Sequence, residues 1–375
     1  MSSITIGVLL PSSTIAPMGK DFEKGLKKAI KENLKDEIAE IEIIPEFIGP
    51  GSKVKVEEAV NKLFGYHDVD IITGIVSNRI GMEVAEKFEK ARRPFLMNNI
   101  GEHLPDPRNF NPWVFINSTH VWQQVWSLGY WAVKKFGKRG MFVGSVYDAG
   151  YSFTSMLKLG MEAADPESVM PFSVAPLKPQ QTTADPTVVF QHIEEFKPDF
   201  ILSVFCGDEA SIFQKEYIKS PYHQKIPLLG LPFLLEPFVS EGEALELYST
   251  IVAGEGLSQE TLNLEELNSQ KPFYSLGAET GLIISEALNN KGDKSLTEAL
   301  RETKVYSDRG LLHIDPTAPG KDSKVYLVKH LHKGDKQNIE AELIEELRTV
   351  SITDPALAMS LDEPSSGWGN PYLGI

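Results

Sequence analysis

The hydrophobic and polar positions repeat one pattern twice along the chain. A short apolar run beginning with an Asp-containing dipeptide, Val69–Ile75, leads through apolar residues at helical spacing to a second apolar run, Pro94–Asn98. The second copy leads from Pro198–Val204 through a similar helical pattern to Pro227–Gly230. Two apolar runs joined by a helix are typical of a βαβ unit in a parallel sheet that is buried on both faces. The pattern therefore predicts an α/β fold with two similar lobes, whose carboxyl strand ends can face a cleft between them.

The rest of the chain continues this alternation of strands and helices. Further strands are predicted at 4–10, 41–48, 113–117, 141–146, 169–174, 250–253, 311–314 and 324–329, with helices between them. A long helix after the strand at 113–117 is expected to begin the second lobe. A polar amphipathic helix is predicted near the C-terminus from the apolar positions Ile339, Leu343, Ile344 and Leu347.

Length and charge narrow the classes of protein that fit. A chain of 375 residues is long enough for two domains. Its net charge of −15 argues against a nucleic-acid partner or an anionic membrane surface. The single Cys206 excludes an internal disulfide and argues against a Cys-based metal site. No apolar run has the length of a transmembrane helix, and no signal-peptide pattern opens the chain, so the sequence predicts no membrane insertion.

The common enzyme motifs do not occur. The first strand is followed by Pro11–Pro17 instead of the Gly-x-Gly-x-x-Gly of a dinucleotide site, and Gly19-Lys20 lacks the remainder of a P-loop. A zinc-binding His-Glu-x-x-His and a nucleophile elbow are also absent from the sequence. His330 and His332 are interpreted as exposed residues at a strand end, in preference to metal ligands. The sequence therefore predicts a protein without catalytic residues, metal or cofactor.

Several segments, taken in order, carry a resemblance to a known family. They are Ile6–Ile30, Ile72–Asn78, Arg93–Asn99, Phe115–Gln124, Val143–Tyr151, Lys197–Asp199, Asp308–Pro316 and Val325–Val328. In this order and spacing the chain resembles type I periplasmic substrate-binding proteins. It is most similar to the leucine/isoleucine/valine-binding receptors of ABC transporters.

The resemblance implies two Rossmann-like lobes, each with a parallel sheet, joined by a three-crossover hinge. With crossovers near Ser118, Ser249 and Lys324, the N-terminal lobe would comprise 1–118 and 250–323. The C-terminal lobe would comprise 119–249 and 324–375, including a C-terminal tail. The lobes are expected to close over a small polar solute, such as an amino acid, a short amide, a urea-like compound or a small carboxylate. An ABC permease would then receive the solute.

The location of the protein remains open at this stage. The family implies a periplasmic receptor whose signal peptide is missing from this chain. The alternative is a cytosolic amide or amino-acid sensor of the same fold, which would regulate a protein partner. A signal peptide in the native gene, or neighbouring permease genes, would distinguish the two.

In the first lobe, ligand-binding candidates come from the loops that follow strands. They are Ser12, Met18, Ser77, Asn78, Asn99, Ile100, Gly101 and Glu102. Ser77 and Asn78 match positions where the family holds a ligand carboxylate, although Ser77 could equally cap the following helix. Glu102 stands near a position that is often Thr or Ser in the family. An acid there would repel a ligand carboxylate and suit a cationic or neutral polar group, unless it points outward from the surface.

In the second lobe the corresponding candidates are Tyr151, Phe205, Gly207, Asp208 and Phe233. Tyr151 matches an aromatic residue that lies against the ligand in the family, and Asp208 could instead cap the following helix. Pro232 and Phe233 occupy the region where amino-acid binders carry a Glu for the ligand ammonium. An α-amino acid is therefore in doubt, although Glu236 could substitute for that acid.

Overall fold

The computed structural model describes residues 2–13, 17–35, 39–146, 151–177, 181, 183–231, 244–253, 272–320, 323–332 and 339–362. These residues divide into two compact units. The first contains the described residues up to His120 and those from 272 to Ser323. The second contains the described residues from Val121 to 253 and from Lys324 to 362.

The strands are β1 Ser2–Leu10, β2 Ala39–Phe47, β3 Ile71–Ile75, β4 Phe95–Asn99, β5 Val114–Ser118, β6 Gly140–Ser145, β7 Phe172–Ala175, β8 Phe200–Ser203, β9 Leu228–Gly230, β10 Leu245–Ala253, β11 Lys304–Ser307, β12 Gly310–His313, β13 Lys324–His332 and β14 Ile339–Leu347. The helices are α1 Met18–Asn33, α2 Lys53–Gly65, α3 Asn78–Glu83, α4 Ala85–Ala91, α5 Val121–Lys135, α6 Phe153–Ala164, α7 Val189–Phe196, α8 Gly207–Lys219, α9 Pro272–Asn289, α10 Leu296–Glu302 and α11 Pro355–Asp362.

The first unit is built on a parallel sheet in the order β2-β1-β3-β4-β5. One face packs under α2, α3 and α4 through an apolar cluster that includes Val60, Phe88 and Met97. Helices α1 and α9 pack closely against each other, since a Cβ atom added to Gly25 would lie 2.2 Å from the carbonyl oxygen of Tyr274. Because the strands are parallel, the loops after β1, β3 and β4 lie at one edge of the sheet.

The second unit has a mixed sheet in the order β14-β13-β10-β9-β8-β6-β7. Strands β6 to β10 are parallel, whereas β13 runs antiparallel to both β10 and β14. The two predicted βαβ units are present as β3-α3-α4-β4 and β8-α8-β9. The α/β class with two mainly parallel sheets, predicted from the sequence, is therefore confirmed.

The prediction of a helix from Ile339, Leu343, Ile344 and Leu347 is wrong, because this segment forms strand β14. Val328 pairs with Leu343 and Leu327 pairs with Glu345, which leaves Ile344 as the extra residue of a β-bulge. An inserted residue shifts the two-residue alternation of a strand by one position. The resulting spacing of apolar residues imitated the three-to-four-residue spacing of a helix.

The exposure predicted for His330 and His332 is also wrong. His330 and His332 lie two residues apart on the same face of β13, and that face is buried: the two residues are 0% and 1% exposed, whereas Lys329 and Leu331 on the other face are half-buried. Burial lowers the pKa of His330 to about 3, with a further contribution from His332, and lowers the pKa of His332 to about 4. Both imidazoles are therefore neutral at ordinary pH.

The predicted lobe boundary near Ser249 falls inside a continuous strand. Strand β10 runs from Leu245 to Ala253 and pairs with β13 along its length, so all of it belongs to the second unit. The predicted strand at 311–314 is present as β12, paired with β11, which the sequence did not indicate. The C-terminal tail from 363 onward lies outside the described residues.

Candidate functional site

The loop that follows β4 is held to its neighbours by two asparagine side chains. The Asn99 amide nitrogen donates to the carbonyl oxygen of Val76 at 3.1 Å and to the side-chain oxygen of Asn78 at 2.8 Å. The Asn99 side-chain oxygen accepts the N–H of Gly101 at 3.0 Å. The Asn78 amide nitrogen donates to the carbonyl oxygen of His103 at 2.8 Å. These bonds fix residues 99–103 against the end of β3 and the start of α3.

Gly101 is required by the backbone of this loop. Its φ of +79° lies in the left-handed region, which side chains with a Cβ atom disfavour. On the other side of the loop, the Thr119 hydroxyl donates to the carbonyl oxygen of Ile100 at 2.9 Å. The loop is therefore anchored both to α3 and to the end of β5.

A buried polar network lies beside this loop, at the ends of β4 and β5. The Arg309 guanidinium forms an ion pair with Glu279 at 2.5 and 2.7 Å and also donates to the side-chain oxygen of Asn117 at 2.8 Å. It also donates to the carbonyl oxygen of Ser118 at 2.9 Å, where β5 ends. The sequence analysis assigned no role to Arg309 or Glu279, since they meet only through the fold.

Asn98 joins that network from β4. Its side-chain oxygen accepts hydrogen bonds from Thr280 at 2.6 Å and from Asn117 at 3.1 Å, and its nitrogen donates to the Thr73 hydroxyl at 3.1 Å. A fully hydrogen-bonded network of this kind holds its members in one arrangement. The network therefore fixes the carboxyl ends of β4 and β5, from which the loops extend.

Glu102 is the exception among these satisfied groups. Its side chain is 0% exposed, and no other side chain among the described residues donates a hydrogen bond to either carboxylate oxygen. Burial raises the pKa of Glu102 to about 8, despite an opposing effect of the backbone amides of Glu102 and Gly101. The Gly101 N–H is already donated to Asn99. The surface position considered for Glu102 from the sequence is therefore wrong.

The remaining first-unit candidates lie after neighbouring strands. Ser77 is the N-cap of α3, and its hydroxyl accepts the N–H of Ile80 at 3.3 Å, as the capping alternative predicts. Met18, at the start of α1, and Ile100 are buried, whereas Ser12 is exposed. Because β1, β3 and β4 are adjacent, the sheet gathers these residues on one edge.

His120, just beyond β5, was not singled out from the sequence. It is 3% exposed, and a Cβ atom on Gly320 would lie 2.6 Å from its Nε2 atom. Burial, with a smaller contribution from the Arg309 charge, lowers the pKa of His120 to about 3. His120 thus contributes a neutral imidazole beside the buried network.

The second-unit candidates divide between core and strand ends. Phe205 is fully buried, and its ring centroid lies 5.1 Å from that of Phe213 in the hydrophobic core. Tyr151 is 6% exposed, and its ring centroid lies 5.3 Å from that of Phe153. Gly207 begins α8 with a φ of +55°. Asp208 is exposed in the first turn of α8, where an acid is favourable, while Cys206 occupies the N-cap position.

Glu209 was missed in the second unit. It is 5% exposed and accepts the N–H of Ala184 at 2.6 Å. Burial raises the pKa of Glu209, while hydrogen bonds from Ala184 and Ser145 oppose that rise. This acid links α8 to the end of β6 and to the segment before α7, and no motif in the sequence marked it.

Several predicted positions lie outside the described residues. They are Phe233, Pro232, Glu236, Tyr147 and Asp148. Across the described part of the chain, no three His, Cys, Asp or Glu side chains are grouped so that they could hold a metal ion. No helix in the described ranges combines the length and apolar character needed to cross a membrane.

The family of this chain is shown by a match to a family model. Residues 3–253 match the model of a family described as periplasmic binding protein. None of the curated proteins matches the chain by sequence. Among solved structures, an ABC transporter substrate-binding protein from Sphaerobacter thermophilus has a TM-score of 0.71 and 19% identity, covering 94% of this chain and 99% of its own.

Two further solved structures bind different ligands. A solute-binding protein of an ABC transporter from R. palustris, in complex with benzoate, has a TM-score of 0.70 and 20% identity, covering 95% of this chain and 99% of its own. A leucine-binding protein from Thermotoga maritima has a TM-score of 0.62 and 15% identity, covering 92% and 99%. At these identities the likeness establishes the fold of the chain.

Proposed function

Because this chain belongs to the periplasmic binding protein family, we propose that it is a receptor that binds a small polar solute and delivers it to the permease of an ABC transporter. The observation that carries the proposal is the loop 99–103, which Asn78 and Asn99 hold at the carboxyl edge of the first sheet. Ligands of open α/β sheets bind at this edge. The match to residues 3–253 supports the same assignment.

The work of such a receptor is binding without chemistry. The loops carry amide, hydroxyl and carboxyl groups on a rigid frame, and rigid polar groups reduce the entropy that is lost when a ligand binds. The neighbours described above are transport proteins, which favours a receptor over the regulatory sensor considered from the sequence. We accordingly propose a periplasmic location.

A thermal-shift screen of the purified protein tests this function. The panel comprises amino acids, short amides, urea, amines, amidines and small carboxylates, including benzoate. A ligand at about 100 times its dissociation constant should stabilise the protein by roughly 2.7 kcal/mol. A melting temperature that no class of solute changes would contradict the receptor function.

Two glycine substitutions provide a matched pair for that screen. Gly101 and Gly292 both have positive φ, +79° and +54°, but only Gly101 lies in the candidate loop. Replacing either with Ala should destabilise the protein by about 1 kcal/mol because a Cβ atom disfavours this backbone. Only Gly101→Ala should weaken the binding of a solute hit from the screen, measured by calorimetry. Equal binding by both variants would place the ligand site away from this loop.

A further inference from the structure

The polar side chains in and beside the loop 99–103 differ in whether they have hydrogen-bond partners. The side-chain oxygen and nitrogen of Asn78 and of Asn99 are all engaged in the bonds that build the loop. The Ser77 hydroxyl accepts the N–H of Ile80. The neutral groups that the sequence analysis assigned to the ligand are therefore already engaged in the structure itself.

Glu102 lies in this same loop but has no side-chain hydrogen-bond partner. Both of its carboxylate oxygens are buried, and no side chain among the described residues donates a hydrogen bond to either; the backbone amides of Gly101 and Glu102 only partly offset the burial. A buried polar group without a partner is strongly unfavourable, and a buried charge without a partner more so. The loop bonds position Glu102, since the hydrogen bond from Gly101 to Asn99 and the positive φ of Gly101 fix the backbone directly before it. A partner for this acid is therefore expected from outside the described residues, and a bound solute can provide it.

We propose that Glu102 selects a solute with a cationic nitrogen, such as an ammonium, amidinium or guanidinium group, and this inference rests on the proposed function. A cation with two N–H groups can donate to both carboxylate oxygens at once, in charge-assisted hydrogen bonds that are stronger than neutral ones. A carboxylate ligand in the same place would have to share one proton with Glu102, and the pair would keep a buried negative charge without a counter-charge, which is unfavourable. Benzoate, the ligand of one structural neighbour, is an anion without a cationic nitrogen and therefore differs in charge from the ligand expected at this acid.

A neutral donor would compensate Glu102 less completely. Glu102 would stay protonated beside it, so that only neutral hydrogen bonds form in place of stronger charge-assisted ones. The net charge of −15 also favours the approach of a cation over that of an anion. When the site is empty, burial holds Glu102 in its protonated form near neutral pH. Binding a cation therefore releases that proton to the solvent.

The experiment compares ligands that share a shape and differ in charge. One series is acetamidine, acetamide and acetate, and the second is benzamidine, benzamide and benzoate, each measured by titration calorimetry on the full chain. The wild-type protein should bind the amidinium member of a series more tightly than its amide and carboxylate counterparts. Glu102→Gln should weaken amidinium binding by at least about 30-fold, the lower range for loss of one partner in a buried charge pair.

Two controls separate charge at the site from charge elsewhere and from misfolding. Glu86→Gln removes the same charge from an exposed acid on α4, which is 74% exposed, and should leave amidinium binding unchanged. A readout on the wild-type protein needs no variant. Calorimetry at pH 7 in two buffers of different ionisation enthalpy should detect the release of nearly one proton on binding of benzamidine, and none on binding of benzamide.

The outcomes distinguish this inference from the function on which it rests. Preference for the amide or carboxylate members, amidinium binding that survives in a folded Glu102→Gln variant, or binding without proton release would overturn the selection by Glu102. The receptor function would stand in these cases. If neither the two series nor the panel of the thermal-shift screen contains a solute that binds, the receptor function fails, and the inference fails with it.

Discussion

Glu102 in the first unit and His330 in the second are both buried ionisable side chains to which no other described side chain is hydrogen-bonded, yet they differ in charge type and in place. Glu102 lies in a loop at the carboxyl edge of a parallel sheet, whereas His330 lies within β13, between two paired strands. Each group is neutral near pH 7 because burial disfavours its charged form.

The difference in place separates a candidate binding group from a packing group. A side chain in a strand-end loop can meet a ligand, because the carboxyl edge of a parallel sheet is where ligands bind. The ladder partners of β13 are fixed by the fold, with Leu247 opposite His330 on one side and Ala341 on the other. Burial and an unusual pKa are shared by both residues, so position in the fold decides which of them is a functional candidate.

Glu279 provides the strongest contrast with Glu102, since it is also buried but has a counter-charge. Arg309→Met should remove that counter-charge and destabilise the protein by about 3–5 kcal/mol, because an uncompensated charge is left inside the first unit. Unfolding in denaturant measures this loss. The double variant Arg309→Met with Glu279→Gln should recover part of it, since no charge remains unpaired. A double variant no more stable than Arg309→Met would mean that packing, and not charge, explains the effect.

Glu102 should make the stability of the ligand-free protein depend on pH. Its folded pKa of about 8 lies above the unfolded value of 4.5, so the folded state binds the proton more tightly. Stability is therefore highest below pH 4.5 with respect to this group, falls as pH rises toward 8, and levels off above it. At pH 7 the expected loss is about 3 kcal/mol, from 1.36 kcal/mol for each pH unit.

Glu102→Gln isolates this effect, because an amide has a similar shape and does not titrate. The variant should be more stable than the wild type at pH 8, and the difference should shrink as the pH is lowered toward 5. Urea unfolding at several pH values measures it, with Glu86→Gln as the exposed control. Parallel stability curves for Glu102→Gln and wild type would show that Glu102 is not buried in its neutral form.

The sequence was sufficient for the repeated βαβ units, because buried parallel strands are continuous apolar runs and need no knowledge of distant residues. Strand β14 could not be predicted in the same way, since its bulge at Ile344 is visible only once β13 is its partner. The burial of His330 likewise depends on which face of β13 is covered in the folded second unit, which the local pattern does not specify. Local pattern therefore succeeds until pairing between distant segments decides the outcome.

The candidate site shows a similar division. Ser77 as a helix cap and the loop from Asn99 to Glu102 were predictable, because both follow strands that the pattern already located. The ion pair of Arg309 and Glu279 was not, since 30 residues separate its members and no motif joins them. The lack of side-chain hydrogen bonds to Glu102 could not be predicted either, because it depends on which nearby groups are already bonded to one another in the folded structure.

His330 should give the opposite pH dependence to Glu102, with a smaller effect near neutral pH. Its folded pKa of about 3 lies below the ordinary value of 6.5, so protonation favours the unfolded state. The stability contributed by neutral His330 is present above pH 6.5 and is lost as pH falls toward 3. At pH 5 the loss is about 2 kcal/mol, from 1.36 kcal/mol for each pH unit between 6.5 and 5. His330→Leu should therefore be more stable than the wild type at pH 5, relative to their difference at pH 8. Denaturant unfolding at the two pH values measures this.

The ligand preference set by Glu102 should not change in this variant, because β13 belongs to the core of the second unit and Glu102 to a loop of the first. An unchanged difference between pH 8 and pH 5 would show that the imidazole is hydrated when folded, and the contrast between the two buried groups would then be lost.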